Sequence, residues 1–400
     1  MSEYAAAPAP LPIERPHALA VPTRLTRLQQ EEPVSRLAYP DGAIGWLITG
    51  YEQARAVLSH PGFSARSDLR HAPTDIWAMG PQPIQPGFFI TMDPPDHSRL
   101  RRLLTGQFTV RRIRAIEERV AEVAEEHLSE LEKREPPVDL MPGFATPLPA
   151  LVICELLGVP YDERDRFNGY LNTLVDITSG PEQVSVAYTT LNQYMLSLVR
   201  RKRAQPTDDM LSGLVSSVGD DALTEREAAG VAGLLLTAGF ESTAYMLATG
   251  MFTLLQHPDE LAALRADPSL IDGAVEELLR YMTPLQVGPV RAALEDIEID
   301  GHLIRAGEAV TISLPTVNRD PGRFSDPHTL DVRRSAKGHI AFGHGVHQCL
   351  GQQLARCTLR VGYSALLRRF PSLRLAVAPE EVPMRWHMPV YGVKALPVTW

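Results

Sequence analysis

Cysteine is scarce in this 400-residue chain, which has only three: Cys154, Cys349 and Cys357. So low and odd a number leaves no disulfide framework and suits a reducing compartment. Aromatic residues make up 6% of the chain, and Lys plus Arg (39) are outnumbered by Asp plus Glu (48). The net charge of -9 offers no general attraction for nucleic acid. No run approaches the roughly 18 consecutive apolar residues that a bilayer crossing needs. The opening stretch MSEYAAAPAPLPIERPHALAVP lacks a basic segment followed by an apolar one, so neither signal peptide nor anchor is expected. These absences predict a soluble, cytoplasmic protein with no membrane or nucleic-acid partner.

Proline is plentiful at 34 residues, and 44% of the chain is hydrophobic, enough for a sizeable core. Residues 1–22 read as a flexible arm and 23–400 as one mainly helical domain with a small β portion, without repeats or linkers. A short strand is expected around Gly45–Leu47 and a helix over Tyr51–Ser59. The pattern is helical from Asp96 to Glu135, with a break near Thr109, and again through 161–203. Residues 60–94 and 315–348 are long, Pro/Gly-rich and irregular, as functional loops often are. Thr224–Glu227 is a capping-box sequence that opens the longest helix, roughly 224–256, about 50 Å long at 1.5 Å per residue. Its middle, VAGLLLTAGF, is apolar on every side and predicts a buried helix. Val287–Ile312 alternates in short β-like runs, Cys349–Phe370 reads as a helix, and the last thirty residues as short strands.

Cys154, in the apolar run Leu151–Leu157, reads as a small core residue. Cys349 is different. In Phe342–Gly343–His344–Gly345–Val346–His347–Gln348–Cys349–Leu350–Gly351, three glycines crowd one cysteine just before a helix. Glycine permits positive φ and close backbone approach. Backbone N–H groups and the positive end of the following helix would favour a thiolate. The bland alternative is a glycine turn holding a buried cysteine.

The ten-residue string resembles the heme-binding signature of cytochromes P450, Phe-Gly-x-Gly-x-His-x-Cys-x-Gly, at every fixed position. The resemblance implies the P450 fold, heme b (iron protoporphyrin IX) as cofactor and Cys349 as its axial thiolate, which favours O–O cleavage. Phe342 would pack near the thiolate, within a cofactor loop that includes Gly343 and Gly351; Cys357, two turns into the helix, reads as core. The similarity runs in order from about Trp46 to Trp400. Glu277 and Arg280 resemble the family's Glu-x-x-Arg and share a helix face. In the implied ion-pair triad the third member is Arg334, with Arg333 as competitor. Val317–Pro321 and Phe324–Pro327 match the run before that arginine. Buried propionates need cationic donors, and His97, Arg101, Arg291 and His339 stand where the family's propionate-binding residues stand.

Ala238–Gly239–Phe240–Glu241–Ser242–Thr243 lies mid-way along the long helix. A glutamate there is costly to bury without a purpose or a partner. Ala-Gly offers room for a ligand, and a Ser/Thr hydroxyl can take up a loosened carbonyl. The segment is similar to the family's Ala/Gly-Gly-x-Asp/Glu-Thr-Thr/Ser, in which an acid and an alcohol deliver protons to dioxygen. Glu241 is then the acid and Ser242 the alcohol, where the usual residue is threonine. Serine keeps the hydroxyl but loses the stiffness of a β-branched side chain. Thr243, about 100° further round the helix, should face elsewhere.

Six arginines (99, 101, 102, 111, 112 and 114) fall between His97 and Ile116 with no acidic residue among them. In the family this region lies near the cysteine, and an acidic ferredoxin, fed by its reductase, would dock there. The plain alternative is a solvated face. Substrate-lining residues follow from position alone: Trp77, Met79, Phe88 and Phe89; Ala238 and Phe240; Val287 and Val290; Met388 and Val390. They suit an apolar small molecule or serve equally as core. The resemblance implies a monomeric, soluble bacterial-type monooxygenase of secondary metabolism that hydroxylates or epoxidises a polyketide or terpenoid in antibiotic biosynthesis. A peroxide-driven peroxygenase is disfavoured by the acid–alcohol pair. A heme-binding partner protein without turnover needs neither Cys349 nor Glu241.

Overall fold

A computed structural model describes residues 8–75, 81–107, 110–160, 163, 169–170, 173, 179–216 and 222–400. After helix α1 (Thr23–Glu31) come strands β1 (Val34–Ala38) and β2 (Ile44–Ile48), helix α2 (Tyr51–Ser59) and strand β3 (Phe63–Ser64). Helices α3 (Asp96–Thr105) and α4 (Val110–Glu132) fill the segment read as helical from Asp96; Thr109 lies outside the described residues. Then follow β4 (Val138–Asp139), α5 (Pro147–Leu157), α6 (Pro181–Ala204), α7 (Met210–Val215), α8 (Glu225–Leu255), α9 (Pro258–Ala266) and α10 (Ile271–Met282). Strands β5 (Val290–Ala293), β6 (Ile297–Ile299), β7 (His302–Ile304) and β8 (Ala309–Ile312) lead to α11 (Leu314–Val317), α12 (Gln352–Arg369), β9 (Arg374–Leu375) and β10 (Pro397–Thr399).

The main sheet has the order β1-β2-β8-β5-β3, with β2 and β8 parallel and the other pairs antiparallel. It packs a satellite core (Trp46, Ile48, Val310, Ile312) beside the large helical core. Helix α8 starts at the predicted capping box: Glu227 N–H donates to Thr224 Oγ1 at 3.1 Å, and Thr224 N–H to Glu227 Oε2 at 2.9 Å. Its length and composition would suit a membrane, but 67% of its apolar window is buried inside the protein. It is the central helix, packed by α5, α6, α10 and α12.

The N-terminal arm departs from expectation. From Ala9 onward it is docked, because its few apolar residues find pockets and its carbonyls find donors. Leu11, Leu19 and Val21 are buried. Arg15 stacks over Tyr391 at 3.9 Å and donates to Gln286 Oε1 at 2.9 Å. Tyr391 donates to the Ala18 carbonyl, and buried Arg319 to that of Leu19, both at 2.8 Å.

Candidate active site

The cysteine loop is closed by its own backbone. Cys349 N–H donates to the Phe342 carbonyl at 2.8 Å, and Gly343 N–H to that of Ile340 at 2.8 Å. Gly343 and Gly345 have φ of 72° and 73°, a region open at low cost to glycine. Gly351 is different: it precedes α12 with φ -81°, and its N–H bonds the Cys349 sulfur. Burial pushes the Cys349 thiol up, against that bond and the Arg101 and Arg356 charges. The residue nevertheless has exposed area. Phe342 lies beside it with the Arg356 guanidinium 4.5 Å from its ring centre.

His97, Arg101, Arg291 and His347 converge. The His97 and His347 rings are 4.1 Å apart. Among the described residues neither nitrogen of His97 has a partner, nor does Nδ1 of His347, although all are buried. Burial and then the neighbouring cations push His347 down to about 3 and His97 down as well. Burial lowers Arg291 to about 10, and its one side-chain bond goes to the adjacent Val290 carbonyl. The cluster is electropositive, and three of its ring nitrogens are unspent among the described residues.

His339, expected in that set, is not part of it. Its Nδ1 accepts from Ala341 N–H at 3.2 Å and its Nε2 donates to Glu276 at 3.0 Å, so both nitrogens are committed. Glu276 also takes two bonds from Arg356, at 2.6 and 3.0 Å. Burial alone would raise its carboxyl, but His339 and Arg356 hold it down near about 2. The nearby triad forms as the resemblance implied. Arg280 donates to both Glu277 oxygens at 2.7 Å, and Arg334 Nε reaches Oε1 at 3.2 Å. Arg333 is exposed.

The middle of α8 opens a strip in an otherwise buried helix. Ala238 is exposed, and Glu241, Ser242 and Tyr245 are half-buried at the spacing of one face. Ser242 Oγ donates to the Ala238 carbonyl at 3.0 Å, and Thr243 is turned into the core. Gly239 makes no room for a ligand: a side chain there would meet Ile153 of α5, so this glycine serves helix packing. Glu241 has a partner that the sequence did not reveal, Arg385, whose Nη2 donates to Oε1 at 2.8 Å.

Of the positions expected to line a substrate pocket, Phe89, Phe240 and Val287 are buried in core clusters, each spending its apolar surface on neighbours. Phe88, Val290, Met388 and Val390 are half-buried; Trp77 and Met79 lie outside the described residues. The arginine-rich stretch does not form a single face, because successive helical residues turn about 100°. Arg99 pairs with Glu227, Arg112 with Gln107 and Asp208, and Arg101 is close enough to be felt by Cys349. Arg102 and Arg114 are exposed; the Arg111 side chain lies outside the description.

A family model described as Cytochrome P450 matches residues 176–390, more than half of the chain. The chain belongs to the cytochrome P450 family. Among its P450 relatives, Cytochrome P450 105C1 of Streptomyces sp. is 47% identical over 99% of each chain. Vitamin D(3) 25-hydroxylase of Pseudonocardia autotrophica is 43% identical over 93% of this chain and 92% of that protein. The crystal structure of CYP105P1 in complex with filipin I matches with a TM-score of 0.93 at 37% identity, over 98% of this chain and 99% of that one. P450s bind heme through a cysteine thiolate and draw on dioxygen and redox partners. This protein is accordingly a heme-thiolate monooxygenase.

Two site residues escaped the sequence reading of this P450. His347 stands inside the ten-residue signature itself, so its signal was present without a role attached. Arg385 had no local signal, being 144 residues from its partner.

Proposed function

We propose that the Cys349 thiolate would bind the iron of heme b and that His97, Arg101, Arg291 and His347 would hold its propionates. The observation that carries this reading is the set of buried ring nitrogens on His97 and His347 that have no partner among the described residues. An unmade bond of this kind costs about 1–3 kcal/mol. Two carboxylates placed among two histidines and two arginines would satisfy both the donors and the charge. Bound heme supplies the activation of dioxygen, with the thiolate pushing electron density toward iron.

The chain's own residues bind, orient and move protons. The Gly351 N–H and the Arg101 and Arg356 cations favour the charged sulfur. Glu241 is the acid that takes up and passes on the proton, and the Ser242 hydroxyl, anchored to the Ala238 carbonyl, relays it. Ala238, Val290, Met388 and Val390 offer the apolar lining for a small molecule that is hydroxylated or epoxidised. The relative named for vitamin D3 and the structure holding filipin I support a natural product, a polyketide or terpenoid. Electrons come from an acidic ferredoxin and its reductase, docking near Arg102 and Arg114 of a cytoplasmic monomer.

The reading is tested with Cys349→Ser, which should abolish the long-wavelength carbon monoxide band of thiolate-ligated heme; a retained band refutes it. Turnover with NADPH, ferredoxin and reductase, compared with peroxide alone, separates it from a peroxygenase. Ser242→Ala should raise peroxide release by about tenfold or more, up to the roughly 100-fold at the low end for a proton-transfer group. Unchanged coupling would remove Ser242 from the relay.

A further inference from the structure

We propose that Arg385 is a positioning residue for Glu241, tethering one carboxylate oxygen and leaving the other free to pass the proton. This rests on the reading of Glu241 as the proton-delivering acid. Arg385 lies between α12 and β10 and is 3% exposed. Its guanidinium lies 3.8 Å from the ring centre of Tyr245, one helical turn beyond Glu241 on the open strip of α8. Its backbone is fixed as well: Arg385 N–H donates to the Gly392 carbonyl at 2.9 Å, and Met384 bridges to Val393. Gln286 Nε2 donates to the carbonyls of Trp386 and Met388 at 2.9 and 3.2 Å. The guanidinium is therefore stacked on Tyr245, and the backbone that carries it is fixed, before it reaches the acid.

The pair itself is only half closed. Arginine and carboxylate commonly meet through two parallel bonds, but here there is one. Arg385 Nη1 is buried without a partner, and Glu241 Oε2 takes no bond among the described residues. A pair kept only for stability would gain by closing the second bond, since a buried unmade one is costly. The single bond instead holds Glu241 at Oε1 while its side chain keeps 24% exposure on the strip shared with Ser242. Oε2 is the atom left to take up and release the proton.

The test compares Arg385→Gln, Glu241→Gln and the double variant, all loaded with heme. Substrate affinity is read from the Soret shift, and coupling from peroxide formed per NADPH consumed. R385Q should raise peroxide about tenfold, the smaller end of what a lost charged hydrogen bond costs. Substrate affinity should stay within about twofold, as expected away from a binding contact. R385Q added to E241Q should raise peroxide no further, because the residue acts through the acid. Arg385→Lys should restore part of the coupling. Additive effects, or a loss of affinity with coupling intact as for a substrate anchor, overturn the proposal. If R385Q does not load heme, Glu241→Asp decides: it keeps the acid but withdraws it from Arg385, so full coupling in E241D also overturns it. Normal coupling in E241Q would sink the reading of the acid itself, whereas an uncoupled E241Q beside a coupled R385Q sinks only the tether.

Discussion

Two buried cationic groups in this P450 differ in how fully their donors are used. Arg280, with 0% side-chain exposure, gives two bonds to Glu277 and others to the carbonyls of Asn318 and Pro327. Arg291, also buried, bonds only its neighbour's carbonyl and faces histidines with unspent nitrogens. The first group is complete within the polypeptide; the second is complete only with an anion. Burial and charge are alike in both, so the count of unmade bonds is what separates a structural cluster from a binding one.

The same substitution at the two arginines should therefore act in opposite directions. Arg280→Met should lower stability by about 3–5 kcal/mol, because it strands the Glu277 carboxylate in the core. Denaturant melts of the apoprotein measure this, and a loss under about 1 kcal/mol would break the contrast. Arg291→Met should leave apoprotein stability unchanged or raise it by about 1 kcal/mol, since it removes a buried charge that only the nearby Asp93 offsets and that no carboxylate bonds among the described residues. Its cost should appear as heme release to a scavenging apoprotein, faster by about tenfold for one lost charged bond. Equal destabilisation by both variants would show that the open cluster is structural after all.

Glu276 provides a finer test. Its carboxyl is depressed to about 2, so its stabilisation is present above the ordinary carboxylate pKa and is lost as pH falls from about 4.5 toward about 2. The contribution is on the order of 2–3 kcal/mol, from a shift of that size. Glu276→Gln should be less stable than wild type at pH 7, with the gap closing across that window. A constant gap from pH 7 to 3 would mean that His339 and Arg356 do not act through this charge.

What could be read from sequence alone follows from how far apart the partners lie. The Cys349 loop is contiguous, and Glu277 and Arg280 are one helical turn apart, so each forms a local motif that the family resemblance could be matched to. Between Arg333 and Arg334 only the three-dimensional contact decided. His339 was misassigned because its partner Glu276 is distant, while His347 owes its place to His97, in another helix. Phe240 and Val287 looked like pocket residues from chain position, but apolar side chains serve core and pocket alike until their neighbours are seen. The Pro-rich N-terminal arm read as loose coil because proline hides periodicity, yet Leu11, Leu19 and Val21 anchor it.

That docked arm has a practical consequence. Residues 15–19 hold Tyr391 and Gln286, and Gln286 in turn fixes the carbonyls on either side of His387. Trimming the protein at Thr23, where the first helix begins, would not simply shorten it. It would unfasten the segment around His387 that carries Arg385, and a change in coupling would be as informative as a lower melting temperature.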